Sequence, residues 1–274
     1  MAMALRISFS ILSIALLVTC TSAYNPYRNW ANFSYSGWNG PRKWGSLSPN
    51  FSECSKGKAQ SPVDITMDNI IKNKRLKPLD RDYTPKNATL VNNQFNIGVH
   101  FDGKAGGITI DGKRYSLLQI HWHSPAEHRL EGKQLDAELH LVHKADDGSL
   151  AVVAVLHQLG DSDPMISKIE DKLTELSRES TSIEEAQIPL GTFDVKWMKR
   201  KTRKYYRYVG SLTTPPCKEK VIWTILGKAR SISKKQLDLL KAPLGQEFKH
   251  NARPLQPLNG RKIDMYHSQE SVRS

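Results

Sequence analysis

A sheet-dominated, mainly β single domain with a few short peripheral helices is predicted for this 274-residue chain. Three observations predict it. Short apolar segments bounded by turn residues fill the middle of the sequence; helical stripes are few; and no internal repeat, low-complexity tract or Pro/Gly/Ser-rich linker divides the chain. The length suffices for one large domain with a substantial core. With 39% apolar and 24% charged residues, the chain reads as globular, neither disordered nor membrane-spanning. The domain is placed at residues 28–265, after a leader at 1–23 and before a polar tail at 266–274.

The elements follow in order. Gly107 to Tyr115 alternates apolar and polar residues around Asp111-Gly112, the pattern of a hairpin with a two-residue turn. Leu117 to His123 and Ala137 to His143 are strand-like. Asp147-Gly148 then turns the chain into Leu150 to Leu156, an apolar run compatible with a buried strand. Asp163-Pro164 offers an N-cap and a proline at the first helical position. Ile166, Ile169, Leu173 and Leu176 follow as one apolar helical stripe. Ser233-Lys234-Lys235-Gln236 is a capping box opening a short helix that contains Leu237 and Leu240. None of this supplies the strand order.

Arg6, the apolar stretch Ile7 to Val18 and the small residues Thr21-Ser22-Ala23 read as a signal peptide cleaved near Ala23. The alternative, an uncleaved anchor, would need a longer apolar run. No later stretch would cross a bilayer, and the Ser-Val-Arg-Ser tail carries no lipid-anchor signal. Cys20 leaves with the leader, so Cys54 and Cys217 remain: most simply one disulfide, otherwise two buried free thiols. Three sequons, at Asn32, Asn50 and Asn87, fit a secreted glycoprotein. The formal charge is +13, with its densest basic run at Lys199 to Lys204. In a secreted protein this argues against nucleic acid and for a solvated face, or for weak attraction to an acidic extracellular polymer.

Gln119-Ile120-His121-Trp122-His123 carries the chemistry. Strand side chains alternate, so His121 and His123 present two imidazoles on one face, an arrangement suited to a divalent transition metal, zinc above all. Ordinary hydrogen bonds would satisfy such a pair equally well, so the pair alone carries little. Ala137 to His143 adds Glu138, His140 and Val142 on one face and His143, a structural histidine, on the other. A carboxylate beside an imidazole fixes its tautomer and increases its basicity as a ligand. Glu138 therefore reads as the partner of His140, and Gln119 has the parity to orient another imidazole. Three histidines leave tetrahedral zinc one open position.

Gln119 to Glu127, Ala137 to His143 and Gly210-Ser211-Leu212-Thr213-Thr214-Pro215-Pro216 together resemble the zinc-ligand and substrate segments of the alpha carbonic anhydrases. Asn39-Gly40-Pro41 with Trp44, Gln60 to Ile65, Val221-Ile222-Trp223 and Asn251 to Leu258 extend the likeness over nearly the whole mature chain. The resemblance implies a large, twisted, mostly antiparallel central sheet with zinc at the bottom of a conical cleft. It also implies cis bonds at Ser61-Pro62 and Pro215-Pro216, and a Cys54–Cys217 disulfide as in the secreted, plant-like branch. The compartment implied is extracellular (the apoplast), or a plastid reached through the secretory route.

The reaction implied is reversible hydration of CO₂ to bicarbonate and a proton by a zinc-bound hydroxide. His121, His123 and His140 would hold the metal. Glu127, an acceptor only when ionised, would take the Thr213 proton, so that the Thr213 oxygen must itself accept and aim the nucleophile. Val142, Val152, Leu212, Val221 and Trp223 match the apolar wall for CO₂. Thr214 would contact bicarbonate, and Tyr35 matches a cleft tyrosine. Phe95 falls where faster members carry a proton-shuttling histidine, and His100, by strand parity, should face away. A slow, buffer-dependent enzyme is expected, as monomer or dimer. The alternatives are a binding or storage protein on an inherited fold, an ester hydrolase, and a basic module for acidic polymers.

Overall fold

Residues 33–180, 186–195 and 202–268 are the ones that the computed structural model describes. The expected leader, Asn32, positions 199–201 of the basic run and the tail from 269 lie outside them. Two short helices, α1 (Trp44–Leu47) and α2 (Glu53–Lys56), precede β1 (Asp64–Ile65), β2 (Ile70–Lys72) and β3 (Asp80–Arg81). The long strands begin with β4 (Lys86–Asn92), β5 (Ile97–Phe101), β6 (Gly107–Ile110) and β7 (Lys113–His123). The Asp-Gly hairpin forms as expected: Ile110 pairs with Lys113, and Asp111 and Gly112 have φ of 49° and 79°. A two-residue turn of that hand needs positive φ at both positions, which glycine adopts without cost.

After the ribbon β8 (Arg129–Leu130) and β9 (Lys133–Gln134) come β10 (Ala137–Lys144) and β11 (Leu150–Leu159). Helices α3 (Pro164–Ser167) and α4 (Glu170–Glu179) lead to β12 (Gln187–Phe193). The chain continues through β13 (Lys204–Ser211), β14 (Glu219–Leu226), β15 (Arg230–Ile232), α5 (Lys234–Lys241) and β16 (Ile263–His267). The apolar stripe expected on one helix is shared by two. Ile169 sits at φ −122°, ψ 8°, breaking the helix between α3 and α4, yet Ile166, Ile169, Leu173 and Leu176 are all buried. Burial follows the stripe, and the backbone bends to deliver it.

Thirteen strands form one mixed, mainly antiparallel sheet in the order β12-β4-β5-β7-β10-β11-β14-β13-β16-β2, with β15, β6 and β3 paired at its flank. Among the described residues, parallel pairing within this sheet is confined to β11 with β14 and β15, and to β16 with β2; β1 pairs in parallel with β8 in a separate small sheet. The central strands are covered on both faces. One face carries Val99, Ile120, Leu139, Leu141 and Val153, the core on which α4 packs beside β4 and β12. The other carries Val142, Val152, Ala154, Tyr208, Val221 and Trp223. That second face holds the site. The expected cis bonds are present, together with a third at Ser124-Pro125.

Candidate metal centre

Register decides which side chains meet. Residues directly opposite on neighbouring strands point to the same face. His121 of β7 lies opposite His140 of β10, His123 opposite Glu138, and Gln119 opposite Val142. Val152 and Ala154 of β11 continue the rows from Val142 and His140, and Trp223 of β14 continues from Val152. The three histidine rings lie 4.7 to 5.1 Å apart between centroids, with one nitrogen of each within 4.8 Å of the others.

Hydrogen bonds fix which nitrogen of each ring is free. His121 Nδ1 donates to Gln119 Oε1 at 2.9 Å. His123 Nδ1 donates to the Asn251 carbonyl at 2.6 Å, and His140 Nε2 donates to Glu138 Oε1 at 2.8 Å. Each ring thereby spends its proton outwards, leaving lone pairs on His121 Nε2, His123 Nε2 and His140 Nδ1. The His121 and His140 lone-pair nitrogens stand 3.3 Å apart, and His123 Nε2 is buried without a hydrogen-bond partner among the described residues. Burial holds all three imidazoles below their usual pKa, His123 at about 4, so they are neutral at pH 7. Converging neutral lone pairs repel one another unless a cation sits between them. The donor set therefore fits zinc, which accepts imidazole nitrogens and in catalytic sites is held by three protein side chains, the fourth position going to water or substrate.

Glu138 is the hub beneath. Its Oε2 accepts from the backbone nitrogens of Glu127 and His128, and its Oε1 from His140 and His128 Nδ1, all at 2.7 to 2.8 Å. Burial alone would raise this carboxyl, but the two imidazoles outweigh it and hold Glu138 well below the usual carboxylate range. The chain of bonds continues from His128 Nε2 to Tyr208 and on to Ser61, each step 2.7 Å. Sequence parity shows nothing of His128, Tyr208, Ser61 or Asn251, because each is joined to the site only by folding. Arg253 is a further residue missed. Its guanidinium donates to Gln60, Ser61 and Cys54, while its backbone N–H donates to Glu127 Oε1 at 2.9 Å. Burial pushes Glu127 up to about 7, opposed by His140 and, less, by the Thr213 hydroxyl; a cation among the three imidazoles would favour the ionised form.

Val142, Val152, Val221 and Trp223 are buried in one cluster with Leu212 packed against it. Thr213 is buried and Thr214 half-buried on the loop after β13. That loop is closed by Leu212 N–H to the Lys218 carbonyl and tied to α2 by the Cys54–Cys217 disulfide, with Cα atoms 4.9 Å apart. Gly210, just before it, is approached so closely that a Cβ would lie 2.1 Å from Ser61 Oγ. Phe95 sits in the β4–β5 turn, where Asn93 N–H bonds the Asn96 carbonyl, and packs on Phe33 with centroids 5.3 Å apart. Tyr35 joins the same aromatic group beside Trp44. His100 corrects an expectation. It lies opposite Gln119, as Gly98 lies opposite His121, so it shares the site face and does not point away. Strand parity could not be counted from Phe95, because Phe95 is in a turn.

A central sheet with three imidazoles converging on its inner face defines the class, and sequence comparison gives it a family. The family model for eukaryotic-type carbonic anhydrases matches residues 39–267, and the chain belongs to that family. It is 39% identical over 260 residues to alpha carbonic anhydrase 7 of Arabidopsis thaliana, covering 94% of this chain and 93% of that protein. Dioscorin DB3L of Dioscorea polystachya is 37% identical over 258 residues, covering 94% and 93%. Among solved structures, dioscorin complexed with ascorbate matches with a TM-score of 0.83 at 37% identity, covering 87% of this chain and 99% of that one. A hyperthermostable carbonic anhydrase from an active hydrothermal vent chimney matches at 0.75 and 35%, covering 85% and 99%.

Proposed function

We propose that this chain is a zinc enzyme catalysing reversible hydration of CO₂ to bicarbonate and a proton. The observation that carries the reading is the outward commitment of one proton from each of His121, His123 and His140, which leaves three inward lone pairs. Zinc held there would supply Lewis acidity, the chemistry that makes water a nucleophile near neutral pH. Thr213 donates to Glu127, so its oxygen is left to accept and orients that nucleophile. Val142, Val152, Leu212, Val221 and Trp223 offer CO₂ an apolar wall, and Thr214 stands beside Thr213 to receive bicarbonate. Phe95 has no titratable group, so proton removal falls to buffer and to His100 on the site face. The test is zinc content and stopped-flow CO₂ hydration on the purified protein, before and after chelation. One zinc per chain and chelator-sensitive hydration are expected; a metal-free protein that hydrates no CO₂ after zinc addition would overturn the reading.

The second reading, a binding or storage protein with weak or no activity, draws on the likeness to dioscorin complexed with ascorbate. A folded, zinc-loaded chain with no hydration above the buffer rate would favour it. We further read the chain as secreted through a leader cleaved near Ala23 and glycosylated. Asn50 and Asn87 are exposed, as acceptors must be. N-terminal sequencing and glycosidase treatment of the natural protein check both points.

A further inference from the structure

Strand β13 joins two ends of the domain. Its last residue, Ser211, adjoins the candidate metal centre; its first, Lys204, lies about 24 Å away along an extended strand. Two adjoining cavities of about 740 and 720 Å³ open at that far end and share Thr202 and Arg203 in their walls. The first also takes Lys72 and Lys74 from the sheet edge; the second takes Lys204, Lys228 and Arg230. Among the described residues, one carboxylate, Asp161, lines the pair. Arg230 is neutralised by Asp163 at 2.8 Å. Lys72, Lys74, Arg203, Lys204 and Lys228 have no carboxylate partner among the described residues. The first cavity also carries a ring, half-buried Tyr266, stacked on Tyr205 with centroids 5.0 Å apart.

We propose that this double groove binds an acidic polysaccharide, a linear polymer of uronic acids. Its carboxylates would lie against the lysines and Arg203, and the apolar face of one sugar ring against Tyr266. Unpaired positive charges spread over two successive cavities suit a polymer better than a single small anion, which needs charges converging on one point. Nucleic acid fits less well. Sequence-tolerant binding of a single strand stacks successive bases on several aromatic side chains, and among the described residues one tyrosine, Tyr266, lines the groove. The disulfide also suits an oxidising compartment, where acidic polysaccharides are the commoner polyanions.

The test uses the full chain and polygalacturonate as probe, with neutral galactan and a single-stranded oligonucleotide of matched charge as comparators, in affinity electrophoresis at two salt concentrations. Polygalacturonate is expected to retard the protein, with at least tenfold weaker binding at the higher salt and none to galactan. K72E/R203E should weaken binding at least tenfold while leaving CO₂ hydration and zinc content unchanged. Should that variant misfold, K72E/K228E serves, since both residues are exposed. The control K104E/K133E makes the same change in net charge at exposed positions elsewhere and should stay within about twofold of the parent. Equal loss in the control, no loss in the groove variants, or tighter, groove-dependent binding of the oligonucleotide would each overturn the proposal.

Discussion

Glu138 accepts four hydrogen bonds in a site with no exposure, and two come from imidazoles. Removing it frees the His140 tautomer and strands two backbone nitrogens. Glu138→Ala is therefore expected to weaken zinc binding by about 10- to 100-fold, measured by competition with a chromogenic chelator. Thr213→Ala should lower CO₂ turnover on the order of 10²-fold through lost orientation, while Thr213→Ser, which keeps the hydroxyl, should retain most of it; stopped-flow rates separate them. His143 gives a pH prediction remote from the metal. It is buried against Tyr83 Oη at 2.9 Å, and burial pushes its pKa down to about 3. An unfolded histidine titrates near 6.5, so between pH 6.5 and 3 the unfolded chain binds a proton that the folded chain refuses. Stability from this residue is present above pH 6.5 and lost on acidification, at about 1.4 kcal/mol per pH unit. The stability gap between the parent and His143→Gln should narrow accordingly as pH falls, read from urea midpoints.

At the scale of elements, α3 depends on one side chain. Asp163 caps it by accepting from the backbone nitrogens of Met165 and Ile166, and its other oxygen accepts from Arg230 Nε. Burial would raise this carboxyl, but His157 and Arg230 hold it at about 2. Asp163→Ala removes the cap and the bond to Arg230 Nε, so a loss of about 2 kcal/mol is expected by urea denaturation. The cap was readable as Asp163-Pro164, because capping chemistry is local. The break at Ile169 was not, because it answers to the cover that α4 must give β4 and β12. The same contrast holds at β5. Its buried faces were open to counting, but the side on which His100 falls depended on the turn at Asn93–Asn96, where Gln94 adopts φ 69°.

Across the whole molecule, the disulfide joins α2 to the loop carrying Thr213 over a separation of 163 residues. Closing so long a loop restricts the unfolded chain by about 5 kcal/mol in the entropy model. Cys54→Ser, or reduction of the parent, should lower the urea midpoint by a corresponding amount, and should weaken turnover if the loop loses its position. Arg253 serves the same end from inside, donating to Cys54, Gln60 and Ser61 while its backbone holds Glu127. These residues are scattered from 54 to 253, so the site is the product of the whole sheet.

Alternation in Gln119–His123 and Ala137–His143 was enough to put three imidazoles, Gln119 and Glu138 on strand faces, since period two is a property of any extended chain. Likewise Asp111-Gly112, the Ser233 capping box and the apolar runs determined their elements through forces acting within a few residues. Only the tertiary structure decided that His121 faces His140, that Asn251 takes the His123 proton, that the network beneath Glu138 runs to Ser61, and that His100 turns inward. Register between strands distant in sequence is fixed by mutual burial and hydrogen bonding, which no local pattern encodes.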